Sequence, residues 1–196
     1  MIEHTFANVS VDSAQTFRAI MQAMARPGTR QPVNATLSAP EPLLDSTAAT
    51  ALTLCDFQTP IWLGPGLDHD NIQRYLRFHT GAPIVKQPHE ALFALLLSGC
   101  DIPSPAQFAQ GTHEYPDRSA TLIVQATGLV GETVTLCGPG ITMPRVFGVA
   151  ELTQSFWSAM AINHAGFPLG VDAVFTAPGL IAALPRSTAI RLKEAV

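Results

Sequence analysis

The stretch that organises this chain is residues 163–187, which read NHAGFPLGVDAVFTAPGLIAALPRS. Gly166 to Gly170 has the composition of a rigid turn, because a proline fixes φ between two permissive glycines. Residues 171–176 then predict a strand that ends at the following Pro-Gly pair. Residues 180–184 predict a second, almost wholly apolar strand. Two apolar strands joined by Ala-Pro-Gly predict an antiparallel pair close to the core.

Two charged residues stand at the ends of this apolar pair. Asp172 lies near the start of the first predicted strand, and Arg186 follows the proline that ends the second. Because they flank the same strand pair, we expect the two side chains to be structurally coupled. If they pair away from solvent, the loss of Arg186 alone leaves a buried carboxylate, which is costly.

The composition limits the class of protein. At 196 residues the chain is one domain or a tight pair, and charged residues make up only 13% of it, against about 25% in an average globular domain. So little charge suggests that part of the surface faces another chain, although a core rich in small residues would also contribute. The net charge of −4 without any basic run argues against nucleic acid as a partner.

The expected location follows from the N-terminus, the apolar stretches and the cysteines. The N-terminus lacks a basic region followed by an apolar one, and no apolar stretch reaches transmembrane length. Cys55, Cys100 and Cys137 are odd in number, lie far apart and form no C-x-x-C pair. We therefore predict a reduced, cytoplasmic protein without a membrane partner.

Apolar periodicity predicts helices and strands in alternation. The predicted helices cover residues 12–26, 43–55, 71–79 and 150–163. The predicted strands, besides the pair above, cover residues 59–63, 83–85, 91–97, 121–126 and 133–137. This order indicates a layered α/β domain with a mixed sheet.

Two local details of this prediction can be checked directly. Asp12 and Gln15 resemble a capping pair that would start the first helix. Residues 121–126 and 133–137 bracket Gly128 to Gly131, which predicts a β-hairpin.

The end of the third predicted helix is the most interesting polar feature. Arg77 and His79 stand in its last turn, where a cation and an imidazole complement the helix dipole. The same residues could bind an anion or a neighbouring subunit, and the sequence leaves both interpretations open.

Asp68-His69-Asp70 offers three metal-ligand types in a row. Consecutive side chains seldom converge on one ion, so a helix start capped by Asp70 is the favoured interpretation. We predict no metal site. The chain also lacks a phosphate loop, a nucleophile elbow, an H-E-x-x-H motif and an internal repeat. Spacing and composition alone therefore predict no reaction.

Several stretches resemble a known family. They are Ala23-Met24-Ala25-Arg26-Pro27-Gly28, residues 52–56 with 59–63, residues 76–83, Gly138-Pro139-Gly140-Ile141, residues 167–172 and residues 184–188. In this order the chain resembles the phosphonate-metabolism PhnH family, whose members are subunits of the carbon–phosphorus lyase system. The resemblance runs over nearly the full length, so residues 1–196 are expected to form a single PhnH-like domain. Residues 98–118 match poorly.

The resemblance implies a cytoplasmic homodimer that joins PhnG, PhnI and PhnJ in a larger assembly. With PhnG, PhnI and PhnL, such a subunit is required to move the ribose triphosphate of ATP onto methylphosphonate, which displaces adenine. The radical subunit PhnJ later cleaves the product. The implied fold is similar to that of pyridoxal-phosphate-dependent transferases without the cofactor. The resemblance supplies no catalytic residue.

The lysines agree with a fold that carries no cofactor. Pyridoxal phosphate needs a lysine for its Schiff base, and the chain has only Lys86 and Lys193. Lys86 lies between an apolar run and a proline, and Lys193 lies in the polar tail. Neither setting is typical of a buried, activated amine.

Two functional hypotheses therefore stand side by side. In the first, the chain is an accessory subunit whose surfaces position or stabilise a catalytic partner. In the second, it is an enzyme in which Arg77, His79, Asp172 and Arg186 form a phosphate or phosphonate site at a dimer interface, because guanidinium groups bind such anions bidentately.

Overall fold

The structure is a computed structural model that describes residues 6–34 and 37–192. The helices of this part are α1 (Val9–Ala25), α2 (Asp45–Leu54), α3 (Asp70–Thr80) and α4 (Gln154–Ala165). The strands are β1 (Gln31–Pro32), β2 (Ile61–Leu63), β3 (Ile84–Val85), β4 (Phe93–Leu97), β5 (Thr121–Gln125), β6 (Val134–Cys137), β7 (Arg145–Phe147), β8 (Asp172–Ala177), β9 (Leu180–Leu184) and β10 (Ala189–Leu192). Within these residues, no helix has the length and apolar character needed to cross a membrane.

The strands form two sheets. Seven strands form the large one in the order β1-β9-β8-β5-β4-β2-β3. Strands β3, β2, β4, β5 and β8 run parallel, and β9 is antiparallel to both of its neighbours. The small sheet is antiparallel in the order β10-β6-β7. The prediction of an α/β fold with a mixed sheet is confirmed.

The stretch at residues 163–187 forms the predicted antiparallel pair. Strand β8 pairs with β9 from Ala173–Leu184 to Ala177–Leu180, and β8 lies between β9 and β5 in the large sheet. Gly170 has a φ of +120°, and a Cβ there would lie 2.7 Å from Oδ1 of Asn163. Asn163 binds both the N–H and the C=O of Val171, at 2.8 and 2.9 Å. The turn therefore fixes where β8 begins relative to α4.

The large sheet separates two cores. Helices α1, α2 and α3 cover one face, where Leu95, Ile123 and Val174 contribute from the strands. Helix α4 and the small sheet cover the other face, where Leu122 and Phe175 contribute. Neighbouring residues of β5 thus point into different cores, so the middle of the sheet is buried on both faces. This is the continuous apolar pattern of parallel strands.

The predicted hairpin at residues 121–137 is wrong. Strand β5 pairs in parallel with β4 and β8, whereas β6 pairs with β7 and β10 in the other sheet. The burial patterns explain the difference: β5 is buried along four of its five residues, and β6 alternates between buried and half-buried. Strand β5 is buried on both of its faces, as in the middle of the large sheet, whereas β6 is buried on one face only, as in an outer layer. The glycine-containing segment is therefore a crossing between sheets.

Helix α1 begins earlier than predicted. Asn8 is its N-cap and accepts the Val11 N–H at 3.2 Å, while the Asp12 carboxylate accepts the Asn8 N–H at 2.9 Å. Asp12 therefore completes the cap from inside the helix instead of starting it. Helix α3 shows a similar shift, because His69 occupies the N-cap and Asp70 is the first helical residue.

A buried polar group fixes the start of α2, which has no capping side chain of its own. Oε1 of Gln125, at the end of β5, accepts the Leu44 N–H at 2.8 Å and the Thr47 hydroxyl at 2.9 Å. Its Nε2 donates to the Pro42 carbonyl at 2.8 Å. We call these four residues the Gln125 network. It ties the first turn of α2 to the centre of the sheet.

The three cysteines are expected to differ in reactivity. Cys55 is buried, whereas Cys100 and Cys137 are half-buried. Burial, and then the nearby Asp56 charge, raise the pKa of the Cys55 thiol, and the thiolate is the reactive form. Iodoacetamide at pH 8 should therefore alkylate Cys55 in the native chain far more slowly than Cys100 or Cys137. Peptide mass spectrometry measures the three rates, and equal rates in the native chain would contradict this packing.

Candidate functional site

The structure divides the four candidate residues between two places. Asp172 begins β8 and Arg186 follows β9, so both lie at the amino edge of the parallel strands. Arg77 and His79 lie in the last turn of α3, which leads to β3 at one side of the sheet. Strands β2, β4 and β5 separate β3 from β8, which at about 4.8 Å per step is roughly 19 Å. One chain does not assemble the four residues into one site.

Asp172 and Arg186 do pair. The Asp172 carboxylate accepts the Arg186 backbone N–H at 2.7 Å and Nε at 3.1 Å through Oδ1, and Nη2 at 2.5 Å through Oδ2. The side chains are 18% and 13% exposed, respectively. The expected structural coupling of this pair is therefore present.

The rest of the Arg186 guanidinium is occupied by other parts of the chain. Nη1 donates to the carbonyls of Pro116 at 2.8 Å and Pro168 at 3.5 Å. Nη2 also donates to the hydroxyl of Ser119. Since a guanidinium has no further N–H groups to offer, Arg186 cannot take up an external anion without breaking these bonds. The Arg186 side chain therefore has a structural role, because it holds separate segments of the chain together.

The end of α3 has the opposite character. Arg77 is exposed and Phe78 is 67% exposed. His79 is half-buried, and its ring contacts those of Tyr75 and Phe78 at centroid distances of 4.6 and 4.8 Å. Gly81, with φ +72°, ends the helix as predicted. This surface, which we call the α3 end, presents a cation and aromatic rings to solvent.

The remaining candidates have ordinary surroundings. Oδ1 of Asp68 accepts Nε2 of Gln73 at 2.7 Å, and residues 6–34 and 37–192 contain no group of three or more potential metal ligands. Lys86 is exposed after β3, and its carbonyl accepts Nε1 of Trp62 at 3.2 Å. Lys193 lies outside the described residues.

A polar cluster that sequence patterns do not predict lies at the carboxyl edge of the large sheet. Oε2 of Glu151 accepts the hydroxyl of Ser98 at 2.8 Å, and Oε1 accepts that of Thr127 at 2.9 Å. These hydrogen bonds lower the pKa of the Glu151 carboxyl. Glu151 has a φ of +68°, and it is the one non-glycine residue in the described ranges whose φ is positive. The three residues of the cluster lie in three different loops, so no local sequence motif predicts it.

Residues 4–191 match the family model described as bacterial phosphonate metabolism protein (PhnH). The chain belongs to the PhnH family. The resemblance inferred from the short stretches is therefore confirmed over almost the whole length.

Two relatives of this PhnH-family chain illustrate the match. It is 39% identical to the "Alpha-D-ribose 1-methylphosphonate 5-triphosphate synthase subunit PhnH" of Rhizobium meliloti (strain 1021), over 93% of this chain and 92% of the relative. It is 35% identical to the "Putative C-P lyase subunit protein HtxG" of Stutzerimonas stutzeri, over 43% of this chain and 44% of the relative.

Two of the PhnH-like stretches pack against each other. A Cβ at Gly140, which has φ +76°, would lie 2.1 Å from the carbonyl oxygen of Ala25. Nearby, Nη1 of Arg145 donates to the Pro27 carbonyl at 2.5 Å. The glycine therefore allows the turn before β7 to sit directly on the end of α1. At these positions the motif serves packing between elements.

Proposed function

We propose that this chain is a non-autonomous PhnH subunit of the carbon–phosphorus lyase system. In this role it is required, with PhnG, PhnI and PhnL, for transfer of ribose 5-triphosphate from ATP to methylphosphonate with release of adenine. The observation that carries the proposal is the 39% identity to the Rhizobium meliloti synthase subunit over 93% of the chain. Organic phosphonates are then the compounds that the complete system consumes.

The geometry supports a subunit more than a separate enzyme. Glycosidic displacement at ribose needs stabilisation of charge on the sugar and a proton donor or strong hydrogen bond for the leaving base. Arg77 and His79 lie far from Asp172 and Arg186 within one chain, and the Arg186 guanidinium is fully occupied. The alternative, an enzyme with its own phosphonate site, would need a second copy to bring the two pairs together.

The α3 end is the surface that we propose for contact with a partner. Aromatic and arginine side chains are enriched in the cores of protein interfaces. Arg77 and Phe78 are both exposed there, and the ion pair found among the described residues involves neither of them. The partners proposed for the assembly are PhnG, PhnI and PhnJ, and the chain alone is proposed to form a homodimer.

Three further features belong to the same proposal. The whole chain acts as one PhnH-like domain in the cytoplasm. Its fold is related to that of pyridoxal-phosphate-dependent transferases. It holds no pyridoxal phosphate of its own, in keeping with an exposed Lys86, since a Schiff-base lysine is normally buried against its cofactor.

The test is adenine release from ATP in the presence of methylphosphonate. We expect the ribose phosphonate product only when PhnG, PhnI and PhnL are combined with this chain, and no turnover by the chain alone. Adenine release by the chain alone, abolished in His79→Ala, would show that it is an enzyme. Full product formation without it would remove the requirement.

An Arg77→Glu variant tests the proposed surface. Reversing a charge in an interface core is expected to weaken association with PhnG, PhnI and PhnJ by about tenfold or more. Arg18→Glu is the matched control, because Arg18 is also an exposed helical arginine, on α1. Size-exclusion chromatography and sedimentation of the mixtures and of the chain alone measure both effects. Equal behaviour of the two variants would place the partner elsewhere.

A further inference from the structure

A cavity lies beside the Glu151 cluster at the carboxyl edge of the large sheet. It occupies about 340 Å³ between the segment that follows β4 and the first turns of α4. This volume is in the range of small-molecule sites. In α/β folds, ligands bind outside the carboxyl ends of parallel strands. The cavity thus has both the size and the position of a ligand site, and it shares no residue with the α3 end or the Asp172–Arg186 pair.

The polar lining offers hydroxyls and a carboxylate. It is formed by Ser98, Asp101, Ser104, Thr153 and Ser155. Ser98 is only 4% exposed and is held by the Glu151 carboxylate, so one end of the cavity is rigid. The Asp101 carboxylate and the Ser104 hydroxyl make no side-chain hydrogen bond within the described residues, and they are therefore free to meet a ligand.

The remaining wall is apolar. Ile102, Leu152 and Phe156 contribute to it, and Phe156 is anchored against Trp157 and Phe175 at ring distances of 5.4 and 6.3 Å. Among the residues that the structure describes, no lysine, arginine or histidine lines the cavity. At the start of α4, Thr153 accepts one backbone N–H, that of Phe156, at 3.4 Å.

We propose that this cavity binds a neutral polyhydroxylated ligand, a pentose or the sugar of a nucleoside. Sugar hydroxyls donate to carboxylates and exchange hydrogen bonds with serine hydroxyls, and the C–H face of a sugar packs on apolar side chains. Within the described part of the chain a phosphate group meets no cationic side chain here, and Asp101 and the ionised Glu151 repel it. The ligand is therefore taken up by its hydroxyl groups. This inference does not depend on the proposed function, because it concerns binding by the chain alone.

The test is titration of the full-length chain with ribose, adenosine and ATP, followed by amide NMR shifts. We expect adenosine, ribose or both to shift residues 98–105 and 152–159, with a Kd of about 1 mM or tighter. The separate ribose and adenosine titrations decide whether the sugar alone suffices. ATP should bind no more tightly than adenosine.

Variants of exposed lining residues make the test specific. Asp101→Asn and Ser104→Ala are each expected to weaken binding by about fivefold to tenfold, since both side chains are exposed and neither makes a side-chain hydrogen bond within the described residues. Asp117→Asn is the matched control, an exposed acid near the opposite edge of the sheet, and should bind like the wild type. The proposal is overturned by the absence of shifts with about 10 mM ribose and adenosine, by tighter binding of ATP, or by undiminished binding in both lining variants.

Discussion

Arg186→Ala is expected to lower the free energy of unfolding by about 3–5 kcal/mol. The variant leaves the Asp172 carboxylate, which is 18% exposed, without its cation. It also removes the donors that serve Pro116, Ser119 and Pro168. Breaking a largely buried pair from one side costs more than the pair contributes, because the remaining charge stays desolvated. The effect should therefore far exceed that of an exposed ion pair, which is below about 1 kcal/mol.

Denaturant melts of a double-mutant cycle measure the coupling. Asp172→Ala together with Arg186→Ala should cost clearly less than the sum of the two single changes, because the double variant leaves no uncompensated charge. Arg118→Ala is the control, since Arg118 is exposed and its guanidinium stacks over the Tyr115 ring at 4.1 Å. Additive losses, or a loss for Arg186→Ala as small as that of the control, would contradict the role of a buried tie.

This pair also shows how far the sequence predicts structure. The coupling of Asp172 and Arg186 follows from a short connection, because the tight turn at Pro178-Gly179 makes β8 and β9 neighbours. Two other partners of the Arg186 guanidinium, Ser119 and Pro116, lie 67 and 70 residues away in sequence. The local sequence pattern does not predict these contacts. Only the folded structure shows that the Arg186 guanidinium is fully hydrogen-bonded.

The strand order of the large sheet explains why one chain does not bring Arg77 and His79 together with Asp172 and Arg186. The sequence shows that α3 ends at a cation and an imidazole, but it does not show that the next strand, β3, lies at the side of the sheet. The failed hairpin has a related cause. The glycine-containing segment between β5 and β6 is typical of a tight turn. The two strands nevertheless lie in different sheets, because β5 is buried almost continuously whereas β6 alternates between buried and half-buried residues.

The Glu151 cluster at the carboxyl edge of the sheet could not be predicted from the sequence for another reason. Ser98, Thr127 and Glu151 come from three loops, and a hydroxyl or a carboxylate in a loop is ordinarily solvated. The unusual φ of Glu151 and the shared hydrogen bonds exist only once β4 and β5 lie side by side. Residues 98–118 are the segment for which the sequence predicts the poorest match to the family, and the first part of this segment forms one wall of the cavity.

Gln125→Ala is the second change with a large expected effect, about 2–3 kcal/mol of unfolding free energy. Gln125 is 4% exposed, and its amide serves Leu44, Thr47 and Pro42. Each buried polar group that loses its partner costs about 1–3 kcal/mol. Thr47 retains the hydroxyl of Thr176 at 2.7 Å, so the groups that lose their partner are the N–H of the half-buried Leu44 and the carbonyl of the exposed Pro42. The expected loss therefore combines about 1 kcal/mol for each lost hydrogen bond with the space that the buried amide leaves empty.

A local measurement distinguishes this mechanism from general loosening of the core. If the Gln125 network holds the start of α2, hydrogen exchange in Gln125→Ala should accelerate most at the amides of the first turn of α2 and at Leu44. Amides of β8 should follow only the global change in stability. Gln22→Ala, an exposed glutamine on α1, is the matched control and should change stability by less than about 0.5 kcal/mol. Uniform acceleration across both cores would mean that Gln125 fills space instead of capping α2, because a cap acts mainly on the helical turn that it contacts.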